Sequence, residues 1–280
     1  MKIVVTGASG FIGRHVLTEL ARRSIATVAT TRDPTRLGDL SRVVQVIALD
    51  IAEPQPDTYI RLGAPDVLIH LAWDGLPNYK SLHHFETELP RQYQFLKGMV
   101  EGGLQTLVAT GTCFEYGMQS GPLSEDTITC PGNPYGHAKD ALRRQLEFLR
   151  LVQPFAFTWA RLFFMYGEGQ PSTSLYSQLK SAVARADQSF NMSGGEQLRD
   201  YLPVREVARL IVELAVRRTN AGPVNVCSGK PVSVRSLVEG WLAENAWSIA
   251  LNLGYYPYPD YEPMAFWGDR RRLDTLVEHP

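Results

Sequence analysis

A tyrosine and a lysine four residues apart open a predicted helix, in the segment Tyr135-Gly-His-Ala-Lys139. Residues i and i+4 share a helix face, so the phenol and the ammonium are about one turn apart. A neighbouring cation favours the phenolate, and buried sites shift a pKa by roughly 2–5 units. The spacing therefore predicts a proton donor and acceptor whose pKa is lowered from about 10 towards neutrality. The same spacing also occurs on exposed helix faces, so this prediction depends on the surrounding fold.

A hydroxyl group is expected near this pair, at the end of the fifth predicted strand. That strand leads into Thr-Gly-Thr-Cys-Phe-Glu-Tyr-Gly, which ends at Gly117. Open α/β sheets bind their ligands at the carboxyl ends of the strands, so Thr112 can reach the same substrate oxygen as Tyr135. Glu115 is a second candidate acid–base group, but a glutamate beside a turn glycine is expected to be solvated.

Three glycines follow the first predicted strand and open the first predicted helix. Their spacing, Gly-x-x-Gly-x-x-Gly, differs from the usual Gly-x-Gly-x-x-Gly fingerprint of dinucleotide-binding folds. Glycines at these points allow a tight turn and the close approach of a pyrophosphate to free N–H groups at a helix N-terminus. We therefore expect a dinucleotide to be bound here, through Gly7, Ser9, Gly10, Phe11, Ile12 and Gly13.

The type of dinucleotide depends on the end of the second predicted strand, Thr30-Thr31-Arg32-Asp33. A site for NAD usually carries Asp or Glu at this point, to bind the ribose hydroxyls. Arg32 instead offers a planar cation, which together with the two threonine hydroxyls suits a 2′-phosphate. The sequence thus favours NADP (NADPH), while Asp33, one position later, leaves NAD open.

The elements that would position these residues alternate along the first two-thirds of the chain. Apolar β-branched runs alternate with amphipathic stretches, which predicts a parallel sheet covered by helices. The predicted strands are Lys2–Thr6, Ala26–Thr31, Val43–Leu49, Val67–Ala72, Thr106–Thr110 and Phe155–Leu162. The predicted helices are Phe11–Arg23, one near Pro34–Leu40, one near Asp57–Gly63, a long one within Leu82–Glu101 with Pro90 in its interior, and Tyr135–Leu151.

The pattern changes after about Phe164, where glycines and prolines separate helical pieces at Ser174–Ala186, Val204–Val216 and Val232–Glu244. We predict an α/β fold with a doubly wound parallel sheet and a smaller C-terminal lobe. Residues 1–165 would form the cofactor-binding domain, with 200–230 returning to it, and residues 166–280 the substrate-binding lobe. The aromatic, proline-rich segment Tyr255–Tyr261 is expected to be a packed surface loop.

Composition excludes several classes of function. The 28 Lys and Arg residues balance 29 Asp and Glu, without a long basic block, which argues against nucleic-acid binding. Cys113, Cys130 and Cys227 are far apart, which argues against a disulfide framework or a zinc site and indicates a reduced, cytoplasmic compartment. No apolar run reaches the roughly 18 residues of a membrane span, and the N-terminal run is too short for a signal peptide. His70 and the pair His83-His84 lack partners at ligand spacing, so no metal site is expected.

Taken together, these motifs resemble the extended short-chain dehydrogenase/reductase superfamily, the NAD(P)-dependent nucleotide-sugar epimerases, dehydratases and reductases with a Rossmann fold. The resemblance covers nearly the whole chain. Its matching segments are Thr6–Gly13, Asp50-Ile51, His70–Trp73, Thr112 with Tyr116-Gly117, Tyr135 with Lys139, Arg161–Gly167 and Arg199–Val204.

The resemblance also implies roles for individual residues. Asp50 and Ile51 would flank the adenine, while Leu71, Ala72 and Trp73 would line the cofactor. Arg199 would contact the diphosphate of a nucleotide sugar. The implied catalytic residues are Thr112, Tyr135 and Lys139, with Lys139 also holding the nicotinamide ribose, and substrate would be bound by Thr112, Cys113, Phe114 and Arg199. The helices within Leu82–Glu101 and at Tyr135–Leu151 resemble the pair that forms the family's homodimer interface.

Departures from the family pattern reduce the number of candidate reactions. The dehydratases follow the catalytic threonine with Asp-Glu, whereas this chain has Cys113 and Phe114, which removes the carboxylate chemistry of dehydration. Phe164 stands where many epimerases have an asparagine for the substrate phosphate. The tail Tyr261–Asp269 is similar to that of bacterial reductases of dTDP- or CDP-4-keto-6-deoxyhexoses in surface-polysaccharide synthesis. The sequence therefore favours a 4-ketoreductase, with an NAD-dependent 4-epimerase as the alternative and a non-catalytic NAD(P)-binding regulatory protein as a third possibility.

Overall fold

The computed structural model describes residues 1–277. Its strands are β1 (Lys2–Thr6), β2 (Ala26–Thr31), β3 (Gln45–Ala48), β4 (Val67–His70), β5 (Thr106–Thr112), β6 (Gly121–Leu123), β7 (Ala156–Leu162), β8 (Phe164–Tyr166), β9 (Ser189–Asn191), β10 (Leu198–Pro203), β11 (Gly222–Val226), β12 (Pro231–Ser233), β13 (Ala250–Asn252) and β14 (Phe266–Gly268). Its α-helices are α1 (Phe11–Arg22), α2 (Thr58–Arg61), α3 (Leu89–Glu101), α4 (Pro134–Val152), α5 (Leu175–Ala184), α6 (Val204–Arg217), α7 (Val234–Glu244) and α8 (Arg271–Val277). Within these residues, no helix is both long and apolar enough to cross a membrane.

Seven parallel strands form the central sheet, in the order β11-β7-β5-β4-β1-β2-β3. Consecutive strand residues face opposite sides, so Val4 and Leu107 pack with α3 and α4, while Val5 and Val108 pack with α1 and α6. Strands that are apolar on both faces require helices on both faces. The predicted doubly wound α/β fold is confirmed.

The smaller lobe is built on a sheet of order β12-β10-β8 and a two-stranded sheet of β13 and β9. Helices α5 and α7 pack there around the buried indole of Trp241. The chain returns to the central sheet at β11, which pairs with β7 and forms an edge of that sheet. The domain boundaries proposed above, at residue 165 and around 200–230, stay a prediction.

The long helix predicted within Leu82–Glu101 is wrong in its details. A π-helical turn at His84–Glu88 precedes α3, and α3 itself begins at Leu89. Pro90 therefore occupies the first turn rather than the interior, where its missing N–H costs no hydrogen bond. The short helix predicted near Pro34–Leu40 is 3-10 helical within Pro34–Arg42 and is interrupted by a kink at Gly38, where φ is +55°.

Candidate active site

The glycine loop between β1 and α1 has the shape of an anion-binding turn. Gly7 has a φ of +65°, and a Cβ there would lie 2.7 Å from the backbone nitrogen of Ala72. A Cβ at Gly13 would overlap the carbonyl oxygen of Gly7. No described side chain caps α1 at Gly10, so the first N–H groups of Phe11 and Ile12 remain available to a phosphate. The loop thus fits the pyrophosphate of a dinucleotide.

Polar and apolar side chains lie at the ends of the strands near this loop. The Ser9 hydroxyl is 2.9 Å from that of Thr31, and Asp50 follows β3 with its carboxylate accepting from Ala52 N at 2.9 Å. Ile51 is half-buried against the core. These contacts place small polar and apolar groups around one edge of the sheet.

Arg32 and Asp33 differ in how freely they could contact a ligand. Arg32 is 65% exposed and lies 4.0 Å from the Asp74 carboxylate, so its guanidinium is weakly held. Asp33 accepts hydrogen bonds from the side chain and backbone of Thr35, which cap the 3-10 helix and hold the pKa of Asp33 below its usual value. The carboxylate that would favour NAD therefore has a structural task here.

Leu71, Ala72 and Trp73 follow β4 and pass directly beside the glycine loop. Leu71 N donates to Thr6 O at 3.3 Å, and Ala72 N lies 3.5 Å from the Thr6 hydroxyl. His70, at the end of β4, is buried between Thr6 and Gln92, at 2.8 and 2.5 Å. Burial lowers the pKa of His70 to about 3, so it is a neutral core histidine. Among residues 1–277, no cluster of His, Cys, Asp and Glu could hold a metal ion.

The N-terminus of α4 positions Tyr135 and Lys139. Asn133 caps the helix by accepting from Gly136 N at 2.8 Å, and Pro134 occupies the first turn. Gly136 packs under the carbonyl of Phe114, where a Cβ would lie only 2.6 Å from the oxygen. This close contact fixes Tyr135 against the 3-10 turn Cys113–Tyr116 that follows Thr112.

The protonation of Tyr135 differs from the expectation. Burial raises the pKa of its phenol, and a hydrogen bond with Thr112 opposes this only in part. The predicted lowering by Lys139 is wrong for this arrangement, because the Lys139 ammonium donates to Thr110 O at 2.9 Å and lies 3.9 Å from the centre of the Trp73 ring. Burial also lowers the pKa of Lys139, to about 7.

Glu115 is buried, which contradicts its expected solvation. Its carboxylate accepts from Thr112 N and from the Trp159 indole, both at 2.9 Å, and from Arg161 Nε at 2.7 Å. Thr112 in turn accepts from Phe114 N, which completes a capping box for the 3-10 turn. Glu115 therefore orients the Thr112 backbone and is committed to an ion pair.

Cys113 and Phe114, the first two residues of this turn, are both buried. Burial raises the pKa of the Cys113 thiol, so it is a neutral group. The Phe114 ring packs 4.9 Å from the ring of Tyr79 and 6.2 Å from that of Tyr261. An aromatic wall of Tyr79, Phe114, Phe164 and Tyr261 thus borders Tyr135.

Arg199 lies in the smaller lobe, beside a cavity of about 510 Å³. Its guanidinium donates to the Glu262 carboxylate at 2.8 and 3.0 Å and to the carbonyls of Leu198 and Met264. The pair is buried, and burial raises the pKa of Glu262. The arginine expected to contact a diphosphate therefore already has a counter-ion.

Sequence reasoning missed Glu262 and the part of the Tyr255–Tyr261 segment that reaches the site. Tyr255 and Tyr256 are exposed, as expected of a surface loop. Tyr261 instead belongs to the aromatic wall, where its ring lies 6.2 Å from that of Tyr79. Asp260 forms an ion pair with Lys80 at 3.1 Å, which links the segment to the loop after β4. The signal available in the sequence was the dense run of tyrosines directly before the tail that matches the reductases.

Residues 3–227 match the model of the NAD dependent epimerase/dehydratase family. The chain belongs to this family. The predicted membership in the extended short-chain dehydrogenase/reductases is thereby confirmed.

Two relatives and one solved structure are similar to this chain over most of its length. The chain is 30% identical over 270 residues to the dTDP-6-deoxy-L-talose 4-dehydrogenase (NAD(+)) of Aggregatibacter actinomycetemcomitans, covering 96% of this chain and 99% of that one. It is 26% identical over 264 residues to a UDP-glucose 4-epimerase of Halalkalibacterium halodurans, covering 85% and 79%. The structure of MoeE5 in complex with UDP-glucuronic acid and NAD superposes with a TM-score of 0.83 at 27% identity, covering 99% and 93%. Each of these similar proteins is named for a nucleotide sugar or was solved with one bound.

Proposed function

We propose that this enzyme reduces the C4 carbonyl of a nucleotide-linked 4-keto-6-deoxyhexose, a dTDP- or CDP-sugar, in deoxysugar and surface-polysaccharide synthesis. The observation that carries the proposal is that the Tyr135 phenol keeps its proton, while the carboxylates near it are held in ion pairs. Glu115 is bound to Arg161 and Glu262 to Arg199, while Cys113 and Phe114 replace the carboxylates that a dehydration requires. Reduction of a carbonyl needs one hydride and one proton, which matches this inventory.

Each side chain has a defined part in such a reaction. A bound nicotinamide dinucleotide would supply the hydride. Tyr135 donates its proton to the developing alkoxide, and its raised pKa keeps the phenol protonated at neutral pH. Thr112, whose backbone is held by Glu115, would hydrogen-bond the same oxygen, and Lys139 would hold the nicotinamide ribose.

The relative from Aggregatibacter supports the assignment of C4 as the reacting carbon. Its name describes oxidation at C4 of a dTDP-linked 6-deoxyhexose, and hydride transfer at one carbon is reversible. The similarity covers nearly the whole of both chains, so it includes the second lobe as well as the dinucleotide-binding part.

A 4-epimerase is the second candidate. The relative from Halalkalibacterium is named as one, and the residues Thr112, Tyr135 and Lys139 serve either reaction. The two differ in whether the reduced cofactor leaves after one transfer or returns its hydride to the other face of the sugar. Phe164, in the position of the epimerases' asparagine, favours the reductase.

The preference for NADP that Arg32 suggested finds no support in the relatives, where NAD is the cofactor named. Arg32 is exposed and available, while Asp33 is engaged with Thr35. The proposal therefore covers NADPH and NADH, and the assay must compare them.

The test is a cofactor-absorbance assay of the purified enzyme with dTDP-4-keto-6-deoxyglucose, run with NADPH and separately with NADH, followed by identification of the product sugar. Stoichiometric cofactor oxidation is the expected result, and the ratio of the two rates gives the cofactor preference. If the cofactor is not consumed and denaturation releases tightly bound NAD, the enzyme is an epimerase and UDP-sugars are the substrates to screen.

A further inference from the structure

Trp73 connects the loop after β4 to both proposed catalytic side chains on α4. One face of its indole lies 3.9 Å from the Lys139 ammonium, measured to the ring centre. The Trp73 ring also packs edge to face against the Tyr135 ring, with 5.9 Å between the ring centres and an angle of 73° between the ring planes. A cation held over an indole face is attracted by the ring, and the attraction is stronger when the cation is removed from water. The orientation of Trp73 therefore influences where the Lys139 charge lies.

His84 sets that orientation. The indole N–H of Trp73 lies 3.1 Å from His84 Nδ1, and His84 Nε2 lies 2.9 Å from the carbonyl of Asn78. An indole nitrogen can only donate, so Nδ1 must accept and Nε2 must carry the proton that Asn78 accepts. Both ring nitrogens of this fully buried histidine are thus committed.

The surroundings keep His84 in this neutral form. Burial lowers the pKa of the imidazole, and the titratable groups that act on it are His83, Glu88 and Lys139. The ring of Tyr135 packs 5.2 Å away. A second proton on Nδ1 would break the bond to Trp73, so the neutral tautomer and the indole position are coupled.

We infer that His84 is a positioning residue for the Lys139–Tyr135 pair, acting through the indole of Trp73. This inference rests on the proposed function, because the pair is assigned its chemistry there. His84 cannot itself exchange a proton with substrate while both nitrogens are bonded to protein groups. An apolar residue would fill the same buried space but would leave the Trp73 N–H without an acceptor, which is unfavourable for a buried donor and releases the ring.

Three variants test the inference under the conditions of the reductase assay. His84→Leu is expected to lower kcat about 10-fold, because the indole N–H loses its buried acceptor, with KM for the nucleotide sugar unchanged. His84→Gln retains an acceptor and a donor and is expected to keep most of the wild-type kcat. Trp73→Phe keeps a ring face but has no N–H, and is expected to lose as much as His84→Leu. It also carries the test if His84→Leu fails to fold.

The matched control is His83→Leu, the same change one residue earlier at a side chain whose ring is 3.9 Å from Glu88 and bonded to neither catalytic group. It is expected to leave kcat unchanged. The double variant of Trp73→Phe and His84→Leu is expected to lose no more than the poorer single variant. Losses that multiply, or a His84→Gln variant as impaired as His84→Leu, would show that His84 does not act through Trp73.

A readout independent of turnover separates this inference from the proposed function. The Lys139 side chain is titrated by NMR in the wild type and in His84→Leu, assigned with Lys139→Met. Its pKa is expected to fall further in His84→Leu, since the ring face that favours the ammonium has moved. If the wild type does not turn over the keto sugar, the proposed function fails and this titration alone decides. An unchanged Lys139 titration would overturn the role of His84.

Discussion

Burial, rather than the neighbouring cation, determines the protonation of Tyr135. Its phenol is enclosed by the rings of Tyr79, Phe114 and Trp73, which favour the neutral form. The Lys139 ammonium is directed instead at Thr110 O and at the Trp73 ring. Tyr135 is therefore protonated in this structure, as a general acid must be before it can donate.

Removing that proton should abolish most of the activity. Tyr135→Phe is expected to lower turnover roughly 10²–10⁴-fold, because a positioned general acid contributes about that much, while cofactor binding is retained. Steady-state kinetics and cofactor titration measure the two effects. The control is Tyr59→Phe on α2, which removes a phenol hydroxyl that donates to Gly103 O at 3.3 Å and should spare turnover. Near-wild-type turnover in Tyr135→Phe would show that another group supplies the proton.

The buried ammonium of Lys139 should make stability depend on pH. Burial lowers its pKa from 10.5 to about 7, so between these values the unfolded chain binds the proton that the folded chain has lost. Stability then rises with pH across this window, by at most about 1.4 kcal/mol per pH unit for one group. Lys139→Met lacks this dependence, so its stability advantage over the wild type should shrink from pH 7 to pH 10. Denaturant unfolding of both proteins at several pH values measures it, and parallel curves would refute the burial of the charge.

Two short elements, the 3-10 turn Cys113–Tyr116 and the first turn of α4, bring the site together. They meet where Gly136 packs under the Phe114 carbonyl. Thr112 precedes one element and Tyr135 opens the other, so their separation depends on this contact. Errors of about 1 Å in such an arrangement can cost 10²-fold in rate.

Gly136→Ala should therefore impair catalysis through the backbone. A Cβ 2.6 Å from the Phe114 oxygen forces the two elements apart, and we expect kcat to fall about 10- to 100-fold. Gly98→Ala on α3 is the control, because no atom of the described residues outside its local helix lies within 4 Å of the added Cβ. It should instead stabilise the protein by roughly 0.5–1 kcal/mol. Kinetics and thermal unfolding of both variants measure this, and equal kcat values would contradict it.

The elements and the site differ in how far the sequence could predict them. The periodicity of the hydrophobic residues was sufficient to predict the sheet, and the glycine spacing was sufficient to predict the glycine loop. Both features depend on residues that are close together in the sequence. The π-helical turn before Pro90 and the pairing of Glu115 with Arg161 depend on contacts between residues far apart in sequence. No local pattern shows that a glutamate beside a turn glycine is buried against a strand 46 residues later. The role of Glu262 could not be predicted for the same reason, because its partner Arg199 is 63 residues away in the sequence.

At the scale of the molecule, both lobes contribute side chains around Tyr135. Tyr79 and Phe114 come from the larger part, while Tyr261 comes from the segment after β13. The ion pair of Lys80 with Asp260 joins the same two regions at the surface. Since exposed ion pairs contribute only about 0–1 kcal/mol, the aromatic contacts hold these regions together more than the charges do.

The predicted homodimer interface would include the outer face of α4. Phe148, Leu151 and Val152 lie at i, i+3 and i+4 and are 71–81% exposed, an apolar stripe that monomers seldom leave open. Light scattering is expected to give twice the chain mass, and Phe148→Glu should yield monomers because a carboxylate cannot be buried unpaired between two such faces. Ile60→Glu, at a side chain 67% exposed on α2, should leave the mass unchanged. A wild-type chain that stays monomeric at high concentration would show that the stripe is not an interface between copies, whereas dissociation in Phe148→Glu alone would place the two-fold contact on α4.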